Sequence, residues 1–187
     1  MEIPRPERVA VIALTRAGIV LAGRVLAALP GAKLFAPEKF RAEAELVAPG
    51  AATCYQGRIG DTLPALFAGH EGLVAIFSLG ALVRLIAPYL MDKETDPAVV
   101  VLDEAGRFAI PVLSGHLGGA NVLAQRLGVA LGATAVLTTA SDVGQTLAVD
   151  LLGRELGWRV EADHATVVHA SAAVVNDEPV ALVQETG

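Results

Sequence analysis

The chain has 187 residues, of which 53% are hydrophobic and only 18% charged, a composition that suits a cored globular protein and excludes disordered or collagen-like chains. Fourteen Lys and Arg against twenty Asp and Glu give a net charge of -6, which argues against a general nucleic-acid binder because such a surface needs excess cations. One cysteine, Cys54, excludes an internal disulfide framework and a cysteine-based zinc site.

In chain order, Val9–Leu14 is a continuous, β-branched run suited to a strand buried on both faces. Thr15 then caps a helix over 17–29, which Pro30–Gly31 ends. A short strand is expected at Leu34–Phe35, followed by a polar connection to about residue 58. Asp61 caps a short helix toward Ala68, and Leu73–Phe77 reads as the next strand. Ser78–Gly80 opens a helix to about Leu90 that Pro88 must shorten or kink. Val99–Leu102 is another apolar strand, Asp103–Gly106 a turn, and Phe108–Val112 the return of a hairpin. A helix over 119–131 and a strand over 135–138 follow. Beyond them come helices near 147–156 and 164–173, then a hairpin over 174–183. This alternation predicts an α/β fold: an open, mostly parallel, doubly wound sheet with helices on both faces, plus a small α+β C-terminal extension.

The mean hydropathy of +0.55 raises the question of a membrane span. Residues 108–125 carry no formal charge, but Pro111, Ser114, His116 and Asn121 would break the backbone or bury polar groups in lipid. Val9–Leu14 is too short for the core of a signal peptide. The expectation is a cytoplasmic protein with no membrane segment.

Ligands of open α/β sheets bind outside the carboxyl ends of the strands. Four stretches follow strands and are expected there: Thr15–Gly18, Ser78–Arg84, Ser114–Asn121 and Thr138–Asp142. In Ser114–Asn121, Gly118 and Gly119 let a backbone approach a ligand, a helix start offers N–H groups to an anion, and His116 can move a proton near neutral pH. The same glycines can equally serve close helix packing. Gly80 and Arg84 share one side of a helix, where Arg84 can hold a carboxylate bidentately or join a surface ion pair. Thr139, Ser141 and Asp142 offer hydroxyls and a carboxylate, or simply a helix cap. No Walker loop, dinucleotide fingerprint or Gly-x-Ser-x-Gly elbow is present. Cys54 has no histidine close in sequence. His70, His164 and His169 read as satisfied or exposed, Lys93, Asp96 and Asp103 as solvated loop charges, and no metal site is expected.

The run PAVVVLDEAGRFAIPVLSGHLGGANVLAQRLGVALGATAVLTTASD, residues 97–142, resembles the amino-terminal region of the CbiG family of cobalamin biosynthesis. The family's Asp-Glu-x-Gly turn, Ser-Gly-His-x-Gly-Gly-Ala-Asn segment and Thr-Thr-Ala-x-Asp segment stand here at Asp103–Gly106, Ser114–Asn121 and Thr138–Asp142. Gly80, Arg84, Pro88, Lys93 and Asp96–Pro97 fit more loosely, and residues 147–183 resemble the family's middle region. The resemblance implies a domain at 1–142, a middle-region segment at 143–187, and absence of the family's C-terminal domain.

It also implies cobalt-precorrin-5A hydrolysis, in which a δ-lactone opens and acetaldehyde leaves. For that reaction His116 is the expected base, Asp142 its orienter or a second acid–base group, and the Gly118 and Gly119 N–H groups the oxyanion or carboxylate donors. Arg84 would hold a peripheral carboxylate, with Gly80, Ser114, Asn121 and Thr139 as further substrate contacts. No protein-held cofactor is implied, since cobalt belongs to the corrinoid substrate. Expected partners are that substrate and a separate chain supplying the C-terminal domain or other enzymes of the route, with self-association of this apolar chain. Two other readings stay open: a non-catalytic tetrapyrrole-binding or docking module, and a nucleotide or phosphate binder using Ser114–Asn121.

Overall fold

The computed structural model describes residues 3–92, 95–144, 146–153, 157–158, 160–181 and 183. The chain divides into two compact units, Glu2–Val136 and Leu137–Gly187.

In the first unit, the strands are β1 (Val9–Ala13), β2 (Lys33–Pro37), β3 (Ala52–Tyr55), β4 (Gly72–Ile76), β5 (Ala98–Leu102), β6 (Phe108–Leu113) and β7 (Thr134–Ala135). They form a sheet in the order β3-β2-β1-β4-β5-β6-β7. The helices are α1 (Arg16–Ala28), α2 (Arg41–Val47), α3 (Ile59–Gly69), α4 (Leu79–Ile86) and α5 (Ala120–Leu131). Strand pairing is parallel from β3 through β5, β6 turns antiparallel against β5, and β7 runs parallel to β6.

Strand side chains alternate between two cores, because successive Cβ atoms leave opposite faces of the pleat. Val9, Val11 and Ala13 of β1, with Val74 and Ile76 of β4, pack with Ile19 and Val25 of α1, Ala44 of α2 and Leu123 and Leu127 of α5. Ala10 and Ile12, with Leu73 and Ala75, pack on the other face with Leu63 and Phe67 of α3 and Leu82 and Ile86 of α4. All five residues of β1, β4 and β5 are buried, as sheet covered on both sides requires. The doubly wound α/β fold therefore stands as expected.

Several elements differ from expectation. The polar connection before residue 58 holds α2 and β3. Asp61 sits in the first turn of α3, not at its cap, and its Oδ2 accepts the Arg58 N–H at 3.3 Å. The helix α4 stops at Ile86 and tightens into a 3-10 turn over Ala87–Tyr89, since Pro88 cannot continue the ladder. The strand expected over 135–138 is only Thr134–Ala135.

The Asp103–Gly106 turn is organised by one carboxylate. Oδ1 of Asp103 accepts the Arg107 and Phe108 N–H groups, each at 2.8 Å, and Oδ2 accepts from Arg107 Nε at 3.2 Å. Gly106 takes φ +65°, and a Cβ there would stand 3.0 Å from Leu21 Cδ1. Burial pushes the Asp103 carboxyl upward, but hydrogen bonds from Phe108 and Arg107 outweigh it and hold the group below its ordinary 3.8. A group lowered on folding stabilises the fold above its unfolded value and loses that contribution as pH falls through the folded value. Asp103→Ala is expected to cost about 1–2 kcal/mol at neutral pH. The gap between wild type and variant in urea unfolding should close as pH drops below 3.8. A gap independent of pH would refute this account of the turn.

The second unit contains α6 (Ala140–Gly144), a 3-10 turn over Val149–Leu151, and α7 (His164–Val175). The carboxylate of Asp163 caps α7, accepting from the Thr166 N–H at 2.8 Å. Of the helix expected over 147–156, the described part is the 3-10 turn, and residues 154–156 lie outside the described residues. The hairpin expected over 174–183 is not formed among the described residues, because α7 runs on to Val175 and no strand follows. No helix among the described residues is long and apolar enough to cross a membrane.

Candidate functional site

Strand order reverses between the paired strands β1 and β4, so the connections that leave their carboxyl ends run to opposite halves of the sheet, to β2 and to β5. That is where an open α/β sheet leaves a crevice. Here the crevice is partly filled by the protein's own groups. The Thr15 hydroxyl accepts the Gly18 N–H at 3.1 Å, capping α1, and donates to the Glu104 carboxylate of the β5–β6 turn. Thr15–Gly18 is thus a cap tied to a turn. On the α3 and α4 side, the crevice opens into a cleft of about 950 Å³ beyond β1, β2 and β3, with Lys39, Tyr55, Arg58 and Asp61 among its lining. Sequence reasoning missed this cleft, having left residues 36–58 as connection. The signal was present in the Ala-Thr-Cys-Tyr run between Pro49–Gly50 and Gly57, a short β-prone segment bounded by turn residues.

Gly80 and Arg84 stand at this same edge, on α4. Arg84 Nη1 donates to the Gly80 carbonyl at 2.9 Å, and Arg84 joins no carboxylate among the described residues.

Ser114–Asn121 lies at the other edge. Because β6 runs antiparallel to β5, its last residue Leu113 pairs with Val99 at the amino end of β5. Ser114 Oγ accordingly donates to the Asp96 carbonyl at 2.8 Å, just before β5 begins. His116, Ser114, Gly118, Gly119 and Asn121 are therefore separated from Gly80 and Arg84 by the length of a five-residue strand, roughly 15 Å. The expectation that these stretches share one edge is corrected by the direction of β6.

The segment closes on itself. The Gly119 N–H donates to the His116 carbonyl at 3.0 Å, Ala120 N–H to Ser114 at 3.2 Å, and Asn121 N–H to Gly115 at 3.0 Å. The first N–H groups of α5 are spent within the loop, so Gly119 does not offer an anion donor, and the Gly118 N–H has no backbone partner among the described residues. A Cβ at Gly118 would lie 2.4 Å from Ser114 Cβ, and one at Gly115 2.7 Å from Asn121 Oδ1. These two glycines are needed for packing. Asn121 is 1% exposed and sits inside the loop as its anchor, whereas His116 is half-buried.

In the second unit, the Thr139 carbonyl accepts the Val143 N–H at 3.0 Å at the start of α6. Asp142 lies in α6, and its side chain is outside the described residues. His70 is satisfied, with Nδ1 3.0 Å from the Leu66 carbonyl and its ring edge-on to Phe35. His169 is exposed, and the side chain of His164 is outside the described residues. Burial pushes the Cys54 thiol up, away from thiolate chemistry.

Fold and crevice together define an open, doubly wound α/β domain followed by a small helical unit. Residues 61–142 match the family described as cobalamin synthesis G N-terminal, and residues 147–187 the one described as cobalamin biosynthesis central region. The chain belongs to the CbiG family, whose amino-terminal and central regions it carries. It is 54% identical to a cobalt-precorrin-5A hydrolase of Priestia megaterium over 71% of this chain and 35% of that protein. With a cobalt-precorrin-5A hydrolase of Salmonella typhimurium it shares 37% identity over 97% of this chain and 50% of the relative. The chain thus spans half or less of the length of these two relatives. The crystal structure of a cobalamin biosynthesis protein G homologue from Sulfolobus solfataricus superposes with a TM-score of 0.51 at 18% identity, over 97% of this chain and 51% of that one. At that identity the likeness concerns the fold alone.

Proposed function

We propose that this chain acts in cobalamin biosynthesis, in the cytoplasm, as the amino-terminal and central part of a cobalt-precorrin-5A hydrolase. The observation that carries this reading is the 54% identity to a hydrolase of that name. The reaction opens a δ-lactone on the corrinoid macrocycle and releases acetaldehyde, giving cobalt-precorrin-5B, with cobalt carried by the substrate.

Lactone opening needs a base for the attacking water and donors for the tetrahedral oxyanion. His116 is assigned as the base, because its imidazole is half-buried on a turn whose backbone is fixed. The Gly118 N–H, which has no backbone partner among the described residues, is proposed as an oxyanion donor. Ser114 positions the loop through its hydrogen bond to the Asp96 carbonyl, and Asn121 through its burial. For the second unit, taken by itself, Asp142 is proposed as an acid–base group and Thr139 as a substrate contact. Gly80 and Arg84, at the far edge of the sheet, belong to a different surface from His116.

The test is acetaldehyde release from cobalt-precorrin-5A by this chain alone, followed by aldehyde-coupled NADH oxidation. One acetaldehyde per substrate consumed is the expected result. Substrate binding without release would overturn the catalytic reading and leave a module that only holds the macrocycle.

A further inference from the structure

The cleft beyond β1, β2 and β3 has no part in the chemistry assigned to His116, yet its charges are unevenly satisfied. Its two carboxylates are engaged. Glu38 accepts from both Arg41 Nε and Nη2 at 2.7 Å, and Asp61 accepts the Arg58 N–H at 3.3 Å. Its two cations are not paired in this way. Neither Lys39 nor the Arg58 guanidinium meets a carboxylate among the described residues, and Lys39 Nζ rests 4.8 Å from the centre of the Phe40 ring. With Arg41 counted, three cations stand against two carboxylates here, a local excess of one positive charge in a chain of net charge -6, over an apolar floor of Leu14, Ile59 and Leu85. Tyr55 stands among them with its phenol pushed up to about 12 by burial, so it remains an O–H donor throughout the physiological range. A volume of about 950 Å³ lies at the upper end of what small-molecule clefts offer.

We infer that this cleft binds a polycarboxylated tetrapyrrole, with Arg58 and Lys39 on its carboxylates, Tyr55 donating to one of them, and the apolar body over Leu14, Ile59 and Leu85. The carboxylate chemistry rests on the cleft alone, and the tetrapyrrole class rests on the hydrolase reading. Carboxylate is favoured over phosphate because the floor is apolar and wide, whereas a free phosphate needs only the cations.

The experiment titrates the full chain with coproporphyrin III, followed by porphyrin fluorescence, across four proteins: wild type, Lys39→Gln, Arg58→Gln and Arg126→Gln. Lys39, Arg58 and Arg126 are exposed, so the core is untouched, and Arg126 on α5 controls for the mere loss of a charge. Saturable binding to wild type is expected, weakened about tenfold by Arg58→Gln and by Lys39→Gln, and unchanged by Arg126→Gln. No binding to wild type, equal weakening by all three substitutions, or displacement of the porphyrin by millimolar inorganic phosphate would each overturn the assignment. Binding that depends on Arg58 and Lys39, in a protein that releases no acetaldehyde, would refute the hydrolase reading and leave the cleft assignment standing.

Discussion

Replacing His116 by Gln is expected to lower kcat for acetaldehyde release by about 10²–10⁴-fold, the range a positioned general base supplies. Gln keeps the length and hydrogen-bonding capacity of the side chain but cannot take a proton near neutral pH. The three backbone hydrogen bonds that close the turn, among them the one from the Gly119 N–H to the His116 carbonyl at 3.0 Å, are open to either side chain. The variant should therefore keep the urea midpoint and corrinoid affinity of the wild type while losing turnover. Loss of turnover with a collapsed urea midpoint would instead assign His116 to structure. Unchanged kcat would remove it as the base and direct attention to Asp142.

The sheet was legible because its residues repeat a simple physical rule. Val9–Ala13, Gly72–Ile76 and Ala98–Leu102 are short apolar runs buried on both faces, and their length and aliphatic, partly β-branched content mark them as central strands. Two elements escaped for the opposite reason. The helix α2 has seven residues and no side-chain cap, while β3 has four residues at the sheet edge, so neither carries the long period that marks a helix or strand. The Ser114–Asn121 segment was visible as unusual, but its place in the fold was not. A hairpin at Asp103–Gly106 was expected, and that hairpin reverses the chain, so whatever follows β6 must emerge at the amino ends of the parallel strands. Direction, not motif content, decides which residues can share a site. The loop's own hydrogen bonds were also beyond the sequence, since Gly119, Ala120 and Asn121 find their partners only once the turn has closed.

Gly118→Ala is the structural counterpart of the His116 experiment and should destabilise the protein by about 2–3 kcal/mol, near the top of the usual overpacking cost. The new methyl would stand 2.4 Å from Ser114 Cβ and 2.9 Å from the Ser114 carbonyl oxygen, well inside the separation at which carbon atoms attract. Ser114 cannot easily yield. It holds φ 53°, its hydroxyl donates to the Asp96 carbonyl at 2.8 Å, and its own carbonyl accepts the Ala120 N–H at 3.2 Å. Moving it would loosen both the approach to β5 and the start of α5. At two to four degrees per kcal/mol for a chain of this size, Tm should fall by roughly 5–10 °C. Gly69→Ala provides the contrast, because Gly69 ends α3 with nothing within 4 Å of where its Cβ would stand. There the smaller entropy loss of alanine should leave Tm unchanged or raise it slightly. If Gly118→Ala melts with the wild type while turnover falls, the glycine serves a ligand's approach more than packing. If both variants lose stability alike, the steric account of this loop is wrong.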